Sequence, residues 1–199
     1  MTQATETPTQ PSHQVMRSTE SHFLDTNYLP KAHTTSQLIM ARESLAQISY
    51  KFTEGVTEVK GLMGCEASPI EELGDGVYQS MLTLDKPLQP GEKAEIDLFT
   101  RFDFTELSPP PPRFRRRIIG AFAWDAFEVA VYFPLNNPPQ RVAWAEWESY
   151  QSDEIVPGSE VPLKLGPMQS CSGEFLLANR TQRRAVSGKV LGVHWAPPA

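Results

Sequence analysis

The chain has almost no cysteine, few histidines, no long apolar run and no phosphate or nucleophile motif, and each shortage closes a class of function. Its 199 residues include only two cysteines, Cys65 and Cys171, and four histidines. The first residues, MTQATETPTQPSHQ, lack both the basic start and the apolar stretch of a secretory leader. The two thiols are therefore expected to be reduced, in a cytoplasmic protein. No apolar run reaches the ~18 residues of a membrane-spanning helix. HExxH, HxxxH and CxxC are absent, and His13, His22 and His33 stand at spacings of nine and eleven in an N-terminal tail and arm, so no metal and no cofactor are expected. There is no GxSxG elbow, and GDG at 74–76 is only a turn, not a phosphate cradle. Positive charge is also scarce. A net charge of -6 argues against bulk nucleic-acid or anionic-membrane binding.

Proline is abundant instead, at 18 residues, about 9 % against a usual ~5 %. Proline has no N–H for a helix interior, so this composition favours many connections and few long helices. Residues 1–20 read as a disordered tail and 21–33 as a short extended arm. TSQLIMARESLAQI (35–48) places Leu38, Ile39, Leu45 and Ile48 near one stripe, behind a Thr35 or Ser36 cap, and is the one helix expected.

From about residue 50 the period becomes two. Tyr78, Ser80, Leu82 and Leu84 share one face, and Ile96, Leu98, Thr100, Phe102 and Phe104 another. Phe127, Val129, Val131 and Phe133 point inward, opposite Glu128 and Tyr132. RVAWAEWESY, GEFLLAN and GKVLGVHW add strands separated by turn residues. Strands that do not alternate with helices indicate an antiparallel β-sandwich, immunoglobulin-like in the loose sense, with an open barrel as the alternative. Residues 21–199 form one domain on this reading.

Three groups of residues carry functional hypotheses. Arg113, Arg115, Arg116 and Arg117, in SPPPPRFRRR, form one basic cluster and Arg180, Arg183, Arg184 and Lys189 a second. Together they would bind an anion or an acidic partner; apart they are solvated loop ends. Trp124, Trp147 and Tyr132 would supply an aromatic surface, unless the 35–48 helix covers them. Cys65, on the glycine-flanked GLMGCEASP, would serve a small cytosolic enzyme only if a base lowered its thiol pKa, and the neighbouring Glu66 works the other way. Paired acids such as Glu146 and Glu148 read as a solvated edge.

The segments PLQPGEKAEIDL, DAFEVAVYFPLNNPPQRVAWAEW and AVSGKVLGVHW together resemble an uncharacterised β-rich domain of actinobacterial proteins, one that often follows a helix-turn-helix domain in regulators. The resemblance spans roughly residues 77–196 and rests on strand-and-turn signatures. It implies a sandwich-type sensing or interaction domain and brings no catalytic residues. One helix in the first 50 residues is too little for a three-helix DNA reader. The expected function is therefore a non-enzymatic binding or sensing module for a protein or small-molecule partner. The alternatives are the small enzyme above and an accessory subunit of a transcription regulator. Sheet-edge pairing would give a homodimer.

Overall fold

The computed structural model describes residues 12–53, 55–105, 107, 111–118, 123–170 and 173–196. These residues form strands β1 (His13–Leu24), β2 (Pro30–Ala41), β3 (Leu45–Thr53), β4 (Val56–Met63), β5 (Cys65–Ala67), β6 (Glu71–Gly74), β7 (Val77–Leu88), β8 (Lys93–Phe102), β9 (Arg113–Arg117), β10 (Trp124–Pro134), β11 (Arg141–Trp147), β12 (Val161–Pro162), β13 (Gly166–Ser170), β14 (Gly173–Ala185) and β15 (Val190–Ala196). No helix occurs among them. A mainly β chain is thus as the sequence indicates, with two corrections in its first quarter.

The first correction concerns 35–48. This segment is the end of β2, a turn at Arg42–Ser44 and the start of β3. The Leu38, Ile39, Leu45 and Ile48 spacing fits a helix, but His33, Thr35, Ile39 and Ala41 are buried at strand spacing, and both edges of β2 find partners in β1 and β8. Tertiary pairing overrides a weak local preference. The second concerns the tail. Residues 13–20 are not a loose end but most of β1, in the middle of the largest sheet; residues 1–11 lie outside the described ones. Polar composition hid this strand because its buried side chains are themselves polar.

The large sheet has seven strands in the order β13-β14-β10-β1-β2-β8-β4, antiparallel throughout except for the parallel pair β1–β10. A four-stranded sheet runs β12-β11-β15-β9, and a third runs β3-β7-β5 with β6 also on β7. Register places Val129, Glu20, Thr35 and Leu98 in one row across the large sheet, and Val131, His22, His33 and Thr100 in the next. At the β10 end this face packs Phe127, Val129 and Val131 against Val142, Trp144 and Val193 of the β11–β15 sheet. At the β8 end it packs Ile39, Ile96 and Leu98 against Ile48, Leu82 and Leu84 of the β3–β7 sheet. Two apolar cores thus lie side by side under one long sheet, and a polar belt (Ser18, Glu20, His22, His33, Thr35, Thr100) runs between them, all of it buried. The edge strands of the two covering sheets, β9 and β3, meet the belt at this seam.

Candidate functional site

β1 and β2 are joined by DTNYL, a turn pinned by Asp25, whose Oδ1 accepts the backbone N–H groups of Asn27 and Leu29 at 2.7 and 2.9 Å. That turn sets His22 directly opposite His33, two residues from Glu20 and Thr35 respectively. The rings of His22 and His33 stack, with centroids 4.2 Å apart, and Phe114 of β9 caps His22 at 3.6 Å.

Glu20 is wholly inaccessible. Its Oε1 accepts from Arg116 Nε and Nη2, both at 2.8 Å, and from Ser18 Oγ at 3.1 Å. Its Oε2 accepts no hydrogen bond: His22 Nε2 and His33 Nε2 both stand 3.7 Å away. His22 Nε2 is equally unpartnered, whereas His33 Nε2 has Thr35 Oγ1 at 2.9 Å. Burial alone would raise the Glu20 pKa; Arg116 leads the influences that outweigh it and hold the carboxyl well below its usual range. Burial lowers both histidines, most strongly His33, so both are neutral at physiological pH. A buried acceptor without a donor costs about 1–3 kcal/mol, and more for a charged group.

The arginines of β9 divide by function. Arg116 turns Nε and Nη2 inward to Glu20 and keeps a third of its side chain at the surface. Arg113 pairs with Asp153 at 2.5 Å. Arg115 donates to the backbone oxygens of Ser152 and Tyr150 and lies between Trp147 and Tyr150, its guanidinium carbon 5.7 and 5.3 Å from the ring centres. Burial, and then Arg113, lower the Arg115 pKa, against the pull of Asp153. Arg117 is exposed and makes no ion pair among the described residues. Arg115, Arg116 and Arg117 line a pocket of about 450 Å³ with Trp124, Tyr150 and Gln37, opening at the end of the seam.

Arg183 and Arg184, by contrast, lie on β14 of the large sheet and make no ion pair among the described residues, while Arg180 stacks on buried Trp144 at 5.6 Å. Among the described residues no hydrogen bond or ion pair joins the side chains of the two basic clusters. The aromatic surface is corrected. Trp124 and Trp147 are 2 % and 3 % exposed: Trp124 lies in the core between the large sheet and the β11–β15 sheet, and Trp147 packs with Ala145, Val190 and Ile155. Tyr132 is half-buried on the outer face, stacked on Phe23 with centroids 4.4 Å apart. There Phe23, Phe99 and Phe175 help line an open groove of about 1240 Å³. Cys65 is buried beside Leu84; burial, then Asp85 and Asp97, push its thiol up to about 11, which suits a packing residue and not a nucleophile. Cys171 and residues 108–110 of the proline run lie outside the described residues.

Sequence reasoning missed Glu20, His22 and His33. The signal was there in period two: TESH puts Glu20 and His22 on one face of a strand, and DTN is a turn able to fold His33 back across from His22.

No family model and no curated protein matches the chain. Solved structures do. A "putative protease" from Parabacteroides distasonis is 10 % identical, with a TM-score of 0.54 over 92 % of this chain and 40 % of that one. An M1 zinc metallopeptidase from Deinococcus radiodurans, 14 % identical, aligns at 0.48 over 92 % of this chain and 42 % of that one. A two-domain M1 zinc metallopeptidase bound to L-tryptophan, 12 % identical, aligns at 0.45 over 93 % and 43 %. At such identities the first likeness concerns the fold alone. The chain spans about two fifths of the length of the Parabacteroides protein.

Proposed function

We propose that this chain is a non-catalytic β-sandwich binding module that receives an acidic segment of a protein partner in the β9 pocket. The carrying observation is the convergence of Arg115, Arg116 and Arg117 on one pocket with Trp124 and Tyr150 in a chain of net charge -6. Glu20 compensates Arg116, and Asp153 is shared between Arg113 and Arg115. That leaves Arg117 to meet a carboxylate, with Arg115 fixed by two carbonyls and two rings as the wall behind it. What supports the sandwich reading is the packing of two smaller sheets on one long one. The Parabacteroides protein is more than twice as long as the matched part, so a further domain or a partner chain would supply any peptidase chemistry in an assembly of that kind.

Fluorescence anisotropy with labelled peptides tests the reading. A peptide rich in Asp and Glu should bind, weaken as salt screens the pocket, and lose at least tenfold in affinity with Arg117→Glu. A neutral peptide of the same length should not bind. Equal affinity of the wild type and Arg117→Glu for the acidic peptide would remove the pocket from the account.

A further inference from the structure

The unpartnered oxygen of Glu20 and the unpartnered nitrogen of His22 point at one another from a site that the anion pocket does not use. Buried polar atoms are almost always satisfied, by protein, by water or by an ion. Here Glu20 Oε1 has three donors and Oε2 has none, so the carboxylate is positioned rather than loosely packed. Ring nitrogens of His22 and His33 both stand 3.7 Å from Oε2, and the three ligand atoms lie within 4.8 Å of one another. A zinc ion with bonds of ~2.0–2.2 Å sets tetrahedral ligands about 3.4 Å apart, so small side-chain shifts close the set.

We propose that Glu20, His22 and His33 bind a divalent cation of the zinc type, through Glu20 Oε2 and the two imidazoles, with Arg116 fixing the other carboxylate oxygen. Two neutral histidines and a carboxylate are the donor set such an ion takes, and a hydrogen-bonded outer partner is how ligating carboxylates are usually oriented. Ligation through His33 Nε2 would displace its 2.9 Å hydrogen bond with Thr35 Oγ1 and leave that hydroxyl beside the ion. Arg116 also adds positive charge beside the cation, so a bound hydroxide or small anion in the fourth position is favoured over neutral water. Arg116 lines the β9 pocket as well, so it stands between that pocket and the three ligands. The proposal stands apart from the acidic-segment reading: either holds without the other.

The test uses tag-free full-length protein, stripped with chelator and dialysed. Isothermal titration with Zn²⁺ should give one site, and Co²⁺ should give the visible absorption of a low-coordinate nitrogen and oxygen site. His22→Ala and His33→Ala should each weaken uptake at least tenfold while His194→Ala, on β15, leaves it unchanged. Should an alanine variant fail to fold, His33→Gln and the ring-nitrogen resonances of wild-type His22 and His33 give the same answer, since both resonances must shift with Zn²⁺. Folded wild-type protein that takes up neither ion, or uptake untouched by the His22 and His33 variants, would overturn the proposal.

Discussion

At the scale of single residues, the Glu20–Arg116 pair sets the largest penalties. Glu20 is fully buried while Arg116 reaches the pocket, so the two truncations differ. In metal-free protein Arg116→Ala strands a carboxylate among apolar cores and should cost about 3–5 kcal/mol, as broken buried pairs do. Glu20→Ala leaves a guanidinium that can turn to pocket water and should cost about 3 kcal/mol or less. Replacing both with methionine should cost less than Arg116→Ala alone, and urea unfolding of the four proteins measures this; strictly additive losses would show that the pair is not coupled. Cys65 makes a second residue-level prediction. In a Cys171→Ser background its thiol, at about 11 against an ordinary 9.0, should carry about a hundredfold less thiolate at pH 8 than after unfolding. Thiol-reagent labelling with and without denaturant reads the difference, and fast labelling of native protein contradicts the buried placement. Because the folded pKa is raised, the stability Cys65 contributes is complete below pH 9 and is lost as pH climbs towards 11.

Among the strands, β9 is the one that joins fold to site. It is the outer strand of its sheet, paired along one edge with β15, and a row of arginines is itself a defence against edge-to-edge pairing. Its contact with β15 depends on Gly192, opposite Arg115: a Cβ there would fall 1.9 Å from the Phe114 carbonyl oxygen. Gly192→Ala should therefore push β9 outward, cost about 1–3 kcal/mol or more, and weaken acidic-peptide binding together with stability. Thermal melts paired with anisotropy check this; full affinity in a destabilised Gly192→Ala protein would detach the pocket from β9. The alternation of β7, β8 and β10 was legible residue by residue, because apolar residues dominate each inner face, with Ser80 the buried polar residue of β7 and Thr100 that of β8. β1 and β2 were not. Their inner faces carry Ser18, Glu20, His22, His33 and Thr35, which a composition-based reading assigns to solvent, and only pairing across the chain reveals that they are interior.

Across the whole molecule, the polar belt is the consequence of roofing one seven-stranded sheet with two smaller sheets. Each roof supplies an apolar core, and the seam between them needs groups that can be buried in pairs. The sequence shows the basic cluster of β9 but not its division, since whether an arginine serves the interior or the surface depends on which sheet its strand joins. Arg116 is committed to Glu20, Arg113 to Asp153 and Arg115 to carbonyls and rings, leaving Arg117 for a partner. The central claim is that the end of this seam is a receptor for an acidic segment. Backbone amide NMR on the full chain, titrated with the acidic peptide, tests it most directly. Shifts should concentrate at Gln37, Arg115–Arg117, Trp124 and Tyr150 and vanish in Arg117→Glu. Shifts gathered instead on Phe23, Phe99 and Phe175, across the outer face of the large sheet, would contradict it.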